Sequence, residues 1–182
     1  MIAAPEPTYL GEGARLAIPG VGELVLVDDG QLRWQAPEGS VATLDFRDGG
    51  RYIHQAADPS RRLAIIVSER SEEVYVLEAA RESRARLEQR LHRVEDEVGG
   101  LRYVRLLGLE DGILLLYEQG ISSFSGEGWL RWRVEHYRID LMFDHLDGEA
   151  VWLHDQERQL DDPERNLIGY RLADGKLVRS EK

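Results

Sequence analysis

The stretch that decides the fold is "GLEDGILLLYE", residues 108–118. An Asp-Gly pair at 111–112 lies between two short apolar runs. Glycine accepts a positive φ and aspartate tolerates one, so such a pair between apolar runs is typical of the tight turn of a β-hairpin. The segment therefore predicts two short antiparallel strands.

The same pattern recurs along the chain. Further Asp-Gly or Glu-Gly pairs occur at 29–30, 48–49, 127–128, 147–148 and 174–175. Most of them are flanked by strand-like segments, which span residues 23–36, 121–134, 141–155 and 167–180. Two more strands, 61–69 and 72–78, follow the Asp58-Pro59 turn. Short strands at this spacing predict a mainly β protein built of antiparallel meanders.

One segment, "AARESRARLEQRLHRVEDE" at 79–97, departs from this pattern. It contains no Gly or Pro and is rich in good helix formers. Its apolar residues recur at spacings of three and four up to Val98, and Gly99-Gly100 supplies a stop signal. We therefore expect one long helix at about 79–98. It would divide a single domain of 182 residues into β halves at about 1–78 and 101–182.

The composition limits the classes of partner and cofactor. There is no cysteine, which excludes disulfides, thiol nucleophiles and thiolate metal sites. A net charge of −11 opposes binding to nucleic acid, which requires clustered cations. No apolar run approaches the length that spans a membrane, and the N-terminus has no export signal. We expect a cytoplasmic protein that does not bind membranes and has no cofactor.

An internal repeat is also indicated. The segments "DGQLRW" (29–34), "EGWLRW" (127–132) and "DGKLVR" (174–179) align by their glycines at a period near 47, with a missing copy near residue 80. This period suits a four-stranded propeller blade.

The stretch "DPSRRLAIIVSERSEEVYVLEAARES" (58–83) resembles a repeat of the quinoprotein or WD-type β-propellers, and "LIGYRLADGKLV" (167–178) is similar to the strands that close such a blade. The resemblance implies blade-like sheets in an incomplete or dimer-completed assembly. The Trp-Asp dipeptide and histidine network of WD repeats are absent, so no cofactor residues carry over.

The run "GEGWLRWRV" at 126–134 is the main candidate for a binding surface. In a regular strand, side chains alternate between two faces. The apolar face would carry Leu130, Trp132 and Val134, and the opposite face would carry Trp129, Arg131 and Arg133. Trp and Arg are frequent at protein interfaces, so we predict a non-catalytic protein-binding or scaffold module. Alternatively, the helix or a neighbouring sheet covers this face, and the arginines pair with the glutamates of the helix.

A second candidate surface is the acidic loop "DQERQLDDPERN" at 155–166. Its carboxylates could hold a cation or a basic protein, although it lacks the glycine and ligand spacing of a calcium loop. An acidic immunity-type inhibitor of a basic toxin is therefore an alternative function, and a solvated loop is the plain interpretation. The carboxylates concerned are Asp155, Glu157, Asp161, Asp162 and Glu164.

The third alternative is a metal-assisted hydrolase. His136, His145 and His154 lie nine residues apart, and Asp144 is next to His145. Imidazole and carboxylate groups are common metal ligands and acid–base groups. Nine-residue spacing in a meander nevertheless places each histidine on a different strand or turn, so ordinary histidines are the competing interpretation. We also expect a homodimer, because a helix with an apolar stripe and open sheet edges both offer interfaces.

Overall fold

A computed structural model describes residues 8–28, 31–46, 51–68, 73–80, 82–90, 104–117, 120–135, 141–155 and 167–179. All the regular structure in these ranges is β, and no helix occurs in them. The strands are β1 Thr8–Tyr9, β2 Arg15–Ile18, β3 Gly22–Asp28, β4 Gln31–Gln35, β5 Val41–Asp45, β6 Tyr52–Asp58, β7 Leu63–Ser68, β8 Glu73–Glu78, β9 Arg84–Arg90, β10 Arg105–Leu109, β11 Gly112–Tyr117, β12 Gly120–Ser125, β13 Leu130–Glu135, β14 Leu141–Leu146, β15 Ala150–Asp155, β16 Leu167–Arg171 and β17 Leu177–Arg179.

The strands form four antiparallel sheets in chain order. The first sheet contains β2 to β5, the third β10 to β13 and the fourth β14 to β17, each as a simple meander. The second contains β6 to β9, and the N-terminal β1 pairs with the free edge of β6. These small meanders confirm the predicted mainly β composition and are compatible with blade-like repeats.

The quoted Asp-Gly hairpin is confirmed. Strands β10 and β11 pair antiparallel from Arg105↔Leu116 to Leu109↔Gly112. Gly112 has a φ of 148°, and a Cβ at this position would collide with the carbonyl oxygen of Phe124 on β12. Only glycine satisfies both conditions, so the turn chemistry that marks the hairpin in the sequence is also a packing requirement.

The sheets stack face to face, and each interface is a separate hydrophobic core. Leu24, Leu32 and Trp34 of the first sheet pack against Ile66 and Leu77 of the second. The next two interfaces are built in the same way. The core between the second and third sheets includes Ile65, Val76, Leu106, Leu115 and Phe124, and that between the third and fourth includes Leu114, Leu116, Ile121, Val151 and Leu153.

The central strands explain this stacking. Every residue of β7 and of β11 is buried. Alternate residues of a strand point to opposite faces, so a continuous apolar strand must be covered on both sides. The second and third sheets therefore lie inside the stack. The first sheet ends the stack with a polar outer face that includes the exposed residues Arg15, Arg33 and Thr43.

The predicted helix at about 79–98 is wrong. Arg84–Arg90 is strand β9, which pairs antiparallel with β8 from Glu78↔Arg84 to Glu73↔Arg90, and residues 91–103 lie outside the described ranges. The pairing satisfies the backbone groups along the edge of the buried strand β8 and sets Arg84 opposite Glu78. Tertiary pairing has thus overridden a helix propensity that amounts to only a fraction of a kcal/mol per residue.

The repeat is confirmed in part. The fourth strand of each sheet begins at Val41, Arg84, Leu130 or Leu177, at intervals close to the expected period. The turns before β13 and β17 both contain a glycine of positive φ, Gly128 at 79° and Gly175 at 69°. The position near residue 80 is the corresponding turn of the second sheet, between β8 and β9.

Across the described residues, no helix is long and apolar enough to cross a membrane.

Candidate functional site

Trp129 lies in the turn that joins β12 to β13, not in the strand itself. The turn is closed by two backbone hydrogen bonds: the Gly128 amide donates to the Ser125 carbonyl at 2.8 Å, and the Ser125 amide donates to the Trp129 carbonyl at 2.8 Å. The Ser125 hydroxyl oxygen also accepts from the amides of Glu127, at 3.2 Å, and Trp129, at 3.1 Å. The backbone of Trp129 is therefore held in one conformation.

The indole of Trp129 is half exposed, at 49%. Its ring is covered on one side by arginines from β9 of the second sheet. The guanidinium carbon of Arg86 lies 4.1 Å from the ring centroid, and that of Arg84 lies 5.8 Å from it. Both distances are within the range of a cation–π contact. Trp129 is thus an exposed aromatic side chain in a fixed orientation.

Arg86 is itself held by two carboxylates and a carbonyl. Its Nε donates to Glu88 at 2.8 Å, one terminal nitrogen pairs with Glu78, and the other donates to the Gly128 carbonyl at 2.5 Å. The side chains of Arg86, Glu78 and Glu88 are only 16%, 16% and 13% exposed. Arg84 donates to the second oxygen of Glu78 at 2.7 Å. We call Glu78, Arg84, Arg86 and Glu88 the Arg86 network.

The Arg86 network joins two sheets. Glu88 accepts from the Leu130 amide at 3.2 Å, so the third sheet is held through its backbone at both Gly128 and Leu130. The network is present only because residues 84–90 form a strand. In a strand, Arg84, Arg86 and Glu88 point to the same face, toward the third sheet. Ala85 points to the other face and packs on the core between the first and second sheets.

Arg131, the second residue of β13, lies next to the turn that carries Trp129, and we call the exposed surface at these turns the rim. It pairs with Asp111 in the hairpin turn of β10 and β11, and Asp111 also lies 3.6 Å from Arg61 of the second sheet. The hydrogen bond from Arg131 holds the pKa of the Asp111 carboxyl below its usual value. The side chain of Arg131 is 36% exposed and that of Asp111 is 66% exposed, so both are accessible to a partner.

Arg133 is separated from Trp129 and Arg131. A bulge between β12 and β13 sets Leu130 opposite Phe124 but Trp132 opposite Ser123. The side chain of Arg133 is 20% exposed and pairs with Glu135, and its charge also acts on the Tyr117 hydroxyl, whose pKa is raised by burial. The predicted surface is therefore divided: Trp129 and Arg131 lie at the rim, and Arg133 lies within the third sheet.

The same bulge splits the predicted apolar face. Leu130 packs on the core between the second and third sheets, whereas Trp132 and Val134 pack on the core between the third and fourth. Trp132 donates from Nε1 to the Leu172 carbonyl at 2.8 Å, which connects the third sheet to the fourth. An inserted residue reverses the alternation, and the sequence pattern assumed that it was unbroken.

The remaining candidates do not form a site in the described residues. Asp155 ends β15 and is 1% exposed with an interaction partner of its own, so it does not belong to a surface patch. His145 Nδ1 lies 2.5 Å from Asp144, and its ring stacks on Trp152 with centroids 6.1 Å apart. His154, on β15, is partly buried. Within the described ranges, no group of three or more His, Asp or Glu side chains could hold a metal ion. Glu157, Asp161, Asp162, Glu164 and His136 lie outside those ranges.

Sequence reasoning missed the residues that link neighbouring sheets. In the turn after β6, Arg62 pairs with Glu38 of the first sheet at 2.9 Å, and Arg61 reaches Asp111 of the third. Asp58 shapes this turn by accepting from the Ser60 amide, the Ser60 hydroxyl and the Arg61 amide. The sequence signal that could have indicated these links is the Asp58-Pro59 turn, which is followed by the two arginines 61 and 62.

A comparison with models of known protein families found no match, and a comparison with curated protein sequences found none either.

Proposed function

We propose that this chain is a non-catalytic protein-binding module whose contact surface is centred on Trp129 and flanked by Arg131. The observation that carries the proposal is the exposure of a tryptophan whose orientation is fixed. Trp129 is 49% exposed, although the side chain beneath its ring, Arg86, is almost buried. Trp is enriched at protein interfaces, and an exposed indole on a rigid support suits an interaction site.

The energetics of interfaces support this assignment. Trp and Arg are the residues most enriched among interface hot spots, where truncation to alanine costs about 2 kcal/mol or more. Ordering a flexible side chain on binding costs roughly 0.5–1.5 kcal/mol. The cation–π contact with Arg86 already restricts the indole, so much of that cost is met during folding.

The surroundings of Trp129 provide a polar rim. Arg131 and Asp111 are exposed, and a Cβ added at Gly126 would collide with the Arg61 guanidinium, so Arg61 lies against the turn that holds Trp129. An apolar anchor with charged neighbours is the usual organisation of a protein interface. The turns lie at the ends of rigid, buried strands, where binding residues are commonly found.

The blade-like sheets support a relationship to propeller-type repeats, which the "DPSRRLAIIVSERSEEVYVLEAARES" resemblance suggested. In this proposal the four stacked meanders act as a scaffold, and the turns at one edge form the contact surface. The immunity-type inhibitor and the metal-assisted hydrolase stay as predictions from the sequence, and no contact among the described residues favours either.

Affinity capture from an extract of the source cells, quantified by mass spectrometry, tests the proposal. The immobilised variants are the wild type, Trp129→Ala and Val41→Ala, the last a control because Val41 is an apolar side chain of the first sheet that is similarly exposed, at 57%, and does not belong to the Arg86 network. We expect one or more proteins to be retained by the wild type and by Val41→Ala, and about 30-fold less by Trp129→Ala, the factor that corresponds to about 2 kcal/mol. Equal retention by all three variants would refute the proposal.

A further inference from the structure

A pocket of about 230 Å³ opens between the third and fourth sheets. Its walls are mainly apolar and come from both sheets, with Leu116 and Ile121 on one side and Phe143 and Leu153 on the other. It lies at the ends of β11 and β14, whereas Trp129 and Arg131 lie in or beside the turns at the opposite ends of these sheets. The pocket is therefore separate from the proposed protein-binding surface.

Among the described residues that line this apolar pocket, one is a cation. The guanidinium of Arg105, on β10, lies 4.9 Å from the ring centroid of Phe143. Most other arginines in the described ranges pair with a carboxylate, but Arg105 takes part in none of the ion pairs recorded there. A guanidinium held by a ring and free of carboxylates keeps its hydrogen-bond donors available for an anion.

We propose that this pocket binds a small apolar carboxylate, with its carboxylate on Arg105 and its hydrocarbon part against Phe143, Ile121 and Leu153. The positive charge of Arg105 favours a ligand with a carboxylate over a neutral one. In a chain of net charge −11 the general field repels anions, so a carboxylate is retained only where a local cation outweighs that field. A planar guanidinium matches the two oxygens of a carboxylate in a bidentate arrangement.

The volume sets the size of the ligand. A cavity of roughly 150 Å³ is enough for benzene. The pocket of about 230 Å³ therefore has room for one ring or a short branched chain together with a carboxylate group. Long-chain fatty acids and nucleotides exceed this volume. The class of ligand is thus a compact aromatic or branched aliphatic monocarboxylic acid.

Titration of the ¹⁵N-labelled full chain followed by NMR tests the inference, with three probes at up to about 10 mM: benzoate, its neutral analogue benzyl alcohol, and acetate. Benzoate has both the ring and the charge, and each of the other probes lacks one of them. The variants are Arg105→Leu, Arg105→Lys and Arg33→Leu. Arg33 is an exposed arginine on the outer face of the first sheet and, like Arg105, forms no ion pair with a described residue, so it is a matched control.

We expect benzoate to bind the wild type with a millimolar or lower dissociation constant and to shift the amides of Arg105, Ile121 and Phe143. Loss of a charge-assisted hydrogen bond in Arg105→Leu should weaken benzoate about tenfold and leave benzyl alcohol unchanged, and Arg105→Lys should retain part of the affinity. Arg33→Leu should bind benzoate as the wild type does, and acetate should bind at least tenfold more weakly.

Three results would overturn the inference. The first is the absence of benzoate binding in this concentration range. The second is equal binding of benzoate by Arg105→Leu and the wild type, because the guanidinium would then play no part. The third is an equal loss in Arg33→Leu, because binding would then follow total charge and not the pocket.

Discussion

Replacement of Arg86 by methionine should be one of the most damaging single changes at the interface between the second and third sheets. Methionine keeps the length of the aliphatic stem and removes the guanidinium. The change breaks the contacts of Arg86 with Glu78, Glu88, the Gly128 carbonyl and the Trp129 ring. These groups belong to two sheets, so their loss weakens the contact between the sheets as well as the local strand.

The size of the expected loss in unfolding free energy follows from the burial of the Arg86 network. Glu88 is 13% exposed, and Arg86 is the one cation that pairs with it among the described residues, whereas Glu78 also pairs with Arg84. Removing one partner of a buried ion pair costs about 3–5 kcal/mol, because the remaining charge is left uncompensated. The carboxylates here retain some solvent contact, so we expect a loss near the lower limit, about 3 kcal/mol. This is a large part of the ~5–15 kcal/mol by which a typical domain is stable.

Urea unfolding at pH 7, followed by circular dichroism, measures the loss. The control is Arg15→Met, which breaks a pair of the same type: Arg15 lies 2.8 Å from Glu23 but is 67% exposed. Exposed ion pairs contribute about 1 kcal/mol or less, so the control should be nearly as stable as the wild type. In addition, Glu88→Gln in the Arg86→Met background should restore about half of the loss, because glutamine carries no charge and can still accept from the Leu130 amide.

The reasoning would be refuted if Arg86→Met and Arg15→Met had unfolding free energies within about 0.5 kcal/mol of each other, since ordinary surface substitutions lie in that range. It would also fail if Glu88→Gln lowered the stability of the Arg86→Met variant further. That outcome would mean that the charge on Glu88 is compensated by something other than Arg86.

Three further predictions concern packing, turns and pH. Trp34→Phe should cost about 2 kcal/mol in urea unfolding, because Trp34 is 1% exposed and its Nε1 donates to a buried carbonyl at 3.1 Å. Gly128→Ala should cost at least about 2 kcal/mol and Gly148→Ala only about 1 kcal/mol, because both glycines have positive φ but only a Cβ at Gly128 would meet core side chains; equal losses would contradict this. The hydrogen bond from the Ser60 hydroxyl is the largest of several contacts that lower the pKa of Asp58 below its usual 3.8. The Asp58 carboxylate therefore stabilises the folded chain above about pH 3.8, and this stabilisation is lost as the pH falls through the lowered pKa. Asp58→Asn should therefore show a smaller fall of the urea midpoint between pH 4 and pH 2 than the wild type, and an identical fall would contradict this.

The strands could be predicted from the sequence where a glycine turn separates apolar runs. Both the hairpin around Asp111-Gly112, where Glu110 and Asp111 form the turn, and the strand pair around Asp147-Gly148 follow this local rule, because a short connection largely determines which residues pair. These features depend on interactions between residues close in sequence, which patterns detect well.

The strand β9 could not be predicted in this way. Its residues favour a helix, and the factor that makes them a strand is the open edge of β8, which the sequence of 79–98 does not reveal. The position of Arg133 relative to Trp129 could not be predicted for a related reason. An unbroken alternation over 126–134 predicts Arg133 on the same face as Trp129, but Trp129 lies in the turn before β13 and the bulge between β12 and β13 depends on the partner strand.

The most direct test of this account is the pairing of β8 with β9, because only a strand at Arg84–Arg90 brings Arg86 beneath Trp129. Nuclear Overhauser effects measured on the labelled chain distinguish the two conformations. We predict cross-strand contacts between the backbone protons of Val76 and Arg86 and of Leu77 and Ala85, which pair in the structure. Strong sequential amide–amide contacts along residues 84–90, with no cross-strand contacts to Val76 or Leu77, would show a helix and would contradict the account.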